Sequence, residues 1–196
     1  MKTKLILAVL LAFSLNLKAQ VARLGIMGGV STEAVKITQV PNGVTNLIKG
    51  SGIVGGELGV FAKIKIILPV YLKPEALLHY ANGTVLVQYA DGNNTDVTFS
   101  YLKAEVPVIV GLQILGPVSI EGGPVYNYNI IASKNFNGQK VTVQPDGWGY
   151  RAGAGVQLGN VILFDMFLQG QGNSATSTKA AFKVPYSIVA DLGIIF

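Results

Sequence analysis

The sequence predicts an all-β protein, an eight-stranded antiparallel up-and-down transmembrane β-barrel. Three observations carry that expectation. Apolar residues recur with period two along eight segments, the side-chain period of a strand and not of a helix. When each segment is fixed by its apolar face, the charged residues gather on the opposite face. Long and short connections alternate along the chain, the pattern of a membrane barrel with tight turns at one end and loops at the other. Composition agrees: half of the 196 residues are hydrophobic, 13% are charged, and 24 glycines and 8 prolines punctuate the chain. Disorder is excluded by that hydrophobic content. The absence of cysteine excludes a disulfide framework, a zinc finger, thiol chemistry and a cysteine-borne lipid anchor.

Taken in order, Lys2 and Lys4 precede an apolar run, Leu5 to Phe13, that is too short to span a bilayer. Leu17-Lys18-Ala19 then offers a cleavage site, so residues 1–19 read as a signal peptide and 20–196 as the barrel domain. A buried N-terminal helix is the alternative. Cleavage removes three lysines and leaves 12 basic and 10 acidic residues, so the full-length charge of +5 is no argument for nucleic acid. No later segment reaches about 18 uninterrupted apolar residues, which excludes a spanning helix.

Strands are expected near 21–31, 52–65, 68–81, 98–114, 117–131, 148–159, 161–171 and 185–196. In the last, Tyr186, Ile188, Ala190, Leu192, Ile194 and Phe196 form one face, and Ser187, Val189, Asp191, Gly193 and Ile195 the other. The faces opposite the apolar ones collect Arg23, Glu57, Lys63, Lys65, Lys73, Glu75, Lys103, Glu105, Glu121, Arg151, Asp165, Asp191 and the single histidine, His79. A soluble sandwich or lipocalin would turn these charges to water; a membrane barrel turns them to its lumen. Six basic against six acidic groups suit a narrow lumen in which buried charges must pair. Arg23, Glu57, Lys63, Lys73, Glu75, Lys103, Glu105, Glu121, Arg151, Asp165 and Asp191 are therefore the expected lumenal ion-pair network.

The connections favour the membrane barrel. Ile66-Ile67, Leu115-Gly116 and Asn160 mark short turns, while Asn42-Gly43, Asn82-Gly83, Asp91-Gly92, Asn137-Gly138 and Asp146-Gly147 punctuate long loops. Tyr80, Tyr128, Trp148 and Tyr186 fall at the loop ends of strands on the apolar face, where an aromatic girdle meets lipid headgroups. Pro74, Pro107 and Pro124 lie inside strands of a barrel that has no edge to shelter them, so each should mark a bulge or a local break.

The segments Tyr101-Leu-Lys-Ala-Glu-Val-Pro-Val-Ile109 and Gly122-Gly-Pro-Val-Tyr-Asn-Tyr128 resemble the PorT-like outer-membrane β-barrel family of bacteria. Glu105-Val106-Pro107 matches the core of its first motif; the spacing from Tyr101 is two residues longer than usual, and Val125 replaces a common aromatic. The terminal Phe196 resembles the aromatic last residue by which the barrel assembly machinery recognises its clients. The resemblance implies an outer-membrane location, lipid and the assembly machinery as partners, and no particular activity; one namesake of the family belongs to a protein-secretion apparatus.

Chemistry is sparse. Glu121 with Glu105 and Lys103 with Lys73 invite an acid–base reading, but a network of buried ion pairs accounts for them. An outer-membrane acyltransferase could use His79 with an external serine and acid, yet no motif supplies those partners. One histidine, no cysteine and no clustered carboxylate spacing offer no metal site, and the glycines of 153–159 lack phosphate-loop spacing. No cofactor is expected. The stretches 84–90 and 96–100 around Asp91–Thr95, and 134–143, read as protruding external hairpins whose edges could dock a protein partner. The expected function is a non-enzymatic barrel with a charge-plugged lumen that acts through its external loops or within a surface or secretion assembly. The alternatives are a lipid-modifying enzyme of the outer membrane and a soluble secreted barrel that binds an apolar ligand.

Overall fold

The computed structural model describes residues 22–34, 36–37, 44–50, 53–89, 94–131, 133–136, 139–143, 146–172 and 180–196. The predicted signal peptide lies outside them. Every described element is a strand: β1 (Ala22–Glu33), β2 (Lys36–Ile37), β3 (Val44–Gly50), β4 (Ile53–Ile67), β5 (Val70–Tyr89), β6 (Asn94–Leu115), β7 (Val118–Ile131), β8 (Ser133–Phe136), β9 (Gln139–Val143), β10 (Gly147–Leu158), β11 (Ile162–Gln171), β12 (Ala180–Lys183) and β13 (Tyr186–Ile195).

Eight of these, β1, β4, β5, β6, β7, β10, β11 and β13, pair antiparallel with their chain neighbours. The circle closes through β1 and β13, from Gly25↔Ile195 to Glu33↔Ser187. They correspond one for one to the eight expected strands. Alternating burial runs along each of them, so that in β13 Ser187, Val189, Asp191 and Gly193 face in and Ile188, Leu192 and Ile194 face out. The pleat alone imposes this alternation, and closure removes the sheet edge that would otherwise invite aggregation.

At one end the strands join through tight turns, Leu68-Pro69, Gly116-Pro117 and Gly159–Val161. Gly116 (φ 51°) and Gly159 (φ 62°) supply left-handed backbone there, a conformation glycine adopts without steric cost. The first turn lies two residues beyond its predicted place because β4 continues to Ile67. Pro69, which has no amide hydrogen to give a ladder, belongs to the turn.

The other end departs further from expectation. β5 and β6 run on past the barrel as a paired hairpin to Gln88↔Asn94, with Asn82-Gly83 inside the strand and not in a loop. β3 adds to the hairpin's free side along Val85–Tyr89. The 134–143 hairpin is present as β8 and β9 and joins β12 and β2 in a second small sheet, of order β2-β12-β9-β8. β2 and β12 are too short, and the apolar residues of β3 too irregularly spaced, to announce themselves by alternation; they pair along neighbouring extensions. The predicted turns at Asn42-Gly43, Asp91-Gly92 and Asn137-Gly138 lie outside the described residues.

The prolines interrupt pairing without shifting it. Pairs run to Pro74↔Val108 and resume at Leu77↔Glu105; across the next seam they run from Pro107↔Val125 to Val110↔Gly122. Register is conserved on both sides of each lapse, so these are local breaks and not bulges.

Candidate functional site

The lumen is built from the inward positions of all eight strands. Arg151 of β10 stands at its centre, 1% exposed. Its Nη2 donates to both carboxylate oxygens of Glu57 at 3.0 Å and to Glu105 Oε2 at 2.6 Å. Its Nε donates to Gln169 Oε1 at 2.5 Å, and Gln169 in turn donates to Glu105 at 2.9 Å. Nη1 faces Glu75 and Asp191 at 3.6 and 3.7 Å. Lys103 completes Glu105 at 2.7 Å. A planar guanidinium carries five donors in a fixed fork, and five different strands supply the groups around this one.

A second knot lies toward the tight turns. Lys73 Nζ reaches Asp165 at 2.5 Å, Glu121 at 2.7 Å and Glu75 at 3.3 Å, so that Glu75 bridges the two knots. The Tyr71 hydroxyl donates to Glu121 and lies 2.9 Å from Ser119 Oγ. Inward glycines make the room. A Cβ on Gly155 would fall 2.7 Å from Glu121 Oε1 and 3.0 Å from Ser119 Oγ, so glycine there is the space that Glu121 occupies.

Toward the long loops, His79 lies between two carboxylates, Nδ1 3.1 Å from Glu57 and Nε2 2.8 Å from Glu33, and its ring stacks on Tyr101 with centroids 6.1 Å apart. The Tyr101 hydroxyl donates to Glu33. Glu33, also buried, lies two residues beyond the expected end of the first strand at residue 31. Continuing the same parity (23, 25, 27, 29, 31, 33) would have placed it in the lumen. An imidazole with a carboxylate at each nitrogen has neither nitrogen left to take a proton from a nucleophile, so this geometry is not that of a serine–histidine pair.

Glu57, His79 and Glu105 bring ligand atoms within 4.8 Å of one another, a cluster hidden from the sequence because its members come from three strands. The guanidinium of Arg151 lies on both carboxylates and the Lys103 ammonium on one. The donor set is thus already neutralised by cations of the chain itself and does not fit a metal ion.

Two of the expected network members lie elsewhere. Arg23 and Lys63 form no ion pair among the described residues: Arg23 donates to Asn160 Oδ1 at 3.2 Å and Lys63 to Gln157 Oε1 at 2.8 Å. Both sit at the tight-turn mouth, below the last carboxylates. Lys65, on the same face, is exposed.

The outside is the reverse of the lumen. Leu24, Val30, Leu58, Val60, Leu78, Val110, Ile120, Met166, Leu168 and Leu192 are all more than 45% exposed, and similar residues surround them on every strand. Tyr80, Tyr128, Trp148 and Tyr186 face outward at the long-loop ends, with Trp148 edge-on to Tyr126 at 5.2 Å. Phe196 is exposed at the opposite end, its amide donating to Leu24 O at 2.9 Å. A closed barrel, charged within and apolar without, is the arrangement of β-structure in lipid.

The fold is that of small outer-membrane barrels. OprG from Pseudomonas aeruginosa superposes with a TM-score of 0.53 at 14% identity, over 90% of this chain and 96% of that one. Ail, the attachment invasion locus protein of Yersinia pestis, does so with a TM-score of 0.51 at 12% identity, over 89% and 99%. No family profile and no curated protein matches the sequence.

Proposed function

We propose that the chain is a non-enzymatic protein of the outer membrane, a structural barrel whose lumen is sealed by its own charges and whose external sheets engage a partner. The observation that carries this is the apolar outer face, continuous around eight strands. Soluble monomers rarely expose contiguous apolar surface beyond a few hundred Å², and only lipid or detergent could cover this one. The lumen supports the absence of a pore: Glu33, Glu57, Glu75, Glu105, Glu121, Asp165 and Asp191 interlock with Lys73, Lys103, Arg151 and His79. Eight strands enclose just enough room for side chains to fill.

The membrane reading makes Tyr80, Tyr128, Trp148 and Tyr186 the outer girdle and Phe196 the signal to the barrel assembly machinery, reached after cleavage of residues 1–19. The PorT-like resemblance carries no particular activity, so a part in a surface or secretion assembly rests on the sheets that extend beyond the barrel. The hairpin of β5 and β6, and the sheet of β2, β12, β9 and β8, would give a partner protein edges to extend. The test is an unheated-versus-boiled gel of the outer-membrane fraction together with planar-bilayer recording. A heat-shifted band without stable large conductance is the expected result. A protein found in the soluble periplasm with no heat shift would overturn the location, and a stable large conductance would overturn the plug.

A further inference from the structure

The tight-turn mouth opens into a cavity of about 280 Å³ between the turns Leu68-Pro69, Gly116-Pro117 and Gly159–Val161. Arg23, Lys63 and Lys65 line it, with the amide side chains of Gln113, Gln157 and Asn160 between them; among the described residues no carboxylate does. This is unlike the rest of the lumen, where acids outnumber bases.

The cations are brought together by the register itself. Arg23 stands directly opposite Lys63 in the β1–β4 ladder, and Lys65 follows two residues on. Directly opposed residues on one face have Cβ atoms about 4.5–5.5 Å apart, where like charges destabilise the pair. Neither cation relieves the repulsion with a carboxylate. Lys63, nine-tenths buried, points its ammonium at Gln157 Oε1 and over the Tyr71 ring at 3.9 Å. The nearest acids up the lumen, Glu121 and Asp165, are already bound by Lys73 at 2.7 and 2.5 Å. Three positive charges thus face one cavity with no counter-charge among the described residues, an arrangement that draws anions toward it.

We propose that this mouth binds a phosphate group, which neutralises Arg23, Lys63 and Lys65 together. A guanidinium fork and two ammonium groups supply charge-assisted donors from several directions, as a tetrahedral oxyanion requires and a planar carboxylate does not. The amide nitrogens of Gln113 and Gln157 each give one N–H to a turn carbonyl, of Gly116 and Gly159, and keep a second N–H for a remaining oxygen. The group is either free phosphate or the headgroup of an anionic phospholipid at the rim.

The experiment uses the refolded barrel in zwitterionic detergent, titrated with inorganic phosphate by calorimetry at ionic strength held constant with sodium chloride. Saturable one-to-one binding is expected, weakened at least ten-fold in Arg23→Gln and in Lys63→Gln and unchanged in Lys140→Gln at the far end. In parallel, thermal unfolding is compared in phosphatidylglycerol and phosphatidylcholine nanodiscs. Stabilisation by phosphatidylglycerol that both mouth variants lose, without binding of free phosphate, assigns the group to lipid and sustains the proposal. If neither phosphate nor phosphatidylglycerol acts beyond chloride on the wild-type protein, the proposal is overturned; that comparison decides even where a variant fails to fold.

Discussion

Replacing Arg151 with methionine should be the most damaging single change in the lumen that preserves volume. The side chain is 1% exposed and makes its short contacts to Glu57 and Glu105, with Glu75 and Asp191 just beyond. Taking one member from a buried ion pair costs about 3–5 kcal/mol, because the partner's charge is left desolvated and unpaired. Two features pull the expected cost to the lower half of that range. Glu105 keeps Lys103 at 2.7 Å and Glu57 keeps His79 at 3.1 Å. Against them, Glu75 and Asp191 lose a shared cation that no neighbour replaces for Asp191. We therefore expect a loss of about 3–4 kcal/mol, on the scale of that pair penalty, measured by urea unfolding of the refolded barrel in vesicles and followed by the heat-dependent gel shift. Adding Glu57→Gln and Glu105→Gln to the same chain should recover part of it, since the stranded charges are then gone. A loss under about 1 kcal/mol, the scale of an exposed pair, would refute the claim that Arg151 is the dry centre of the network.

Three further outcomes follow from other sites. Gly153→Ala should cost more than about 2 kcal/mol or block folding, because a Cβ there runs into the backbone carbonyl of Met166 on the paired strand; refolding yield with Gly56→Ala, where the nearest atom is 3.6 Å away, is the control. Trp148, the only tryptophan and 63% exposed on the outer face, should lose fluorescence to brominated phosphatidylcholine in vesicles; absence of quenching would remove it from the girdle. His79→Ala should destabilise the barrel by about 1–3 kcal/mol by taking one partner each from Glu33 and Glu57, which keep the Tyr101 hydroxyl and the Arg151 guanidinium. It should leave the lipid composition of the outer membrane unchanged by mass spectrometry, and an altered composition would favour the enzyme reading.

The eight strands were legible because the barrel wall has two unlike sides and the pleat alternates between them. Parity alone assigned Glu57, Glu105 and Arg151 to one face. It could not tell which carboxylate meets which cation, since Arg151 gathers carboxylates from four other strands according to stagger and tilt, quantities absent from any single segment. The same blindness hid the unpaired state of Arg23 and Lys63, which depends on their height in the lumen and not on their side of the sheet. Glu33 was lost to a boundary two residues short. β2, β3 and β12 were lost because their pairing comes from neighbours and not from their own pattern.

Closure through β1 and β13 has a consequence for how such a chain is made. Residues 22–33 find their last ladder partners only in 186–195, and the Phe196 amide reaches back to Leu24. Until those final residues are available, β1 has an open side, and every outward leucine and valine of the earlier strands waits without a finished cylinder to belong to. Synthesis cannot fold this protein piece by piece from its first strand. Until the cylinder closes, the outward leucines and valines are open to pairing with other copies of the chain, so the interval before closure is when aggregation threatens it.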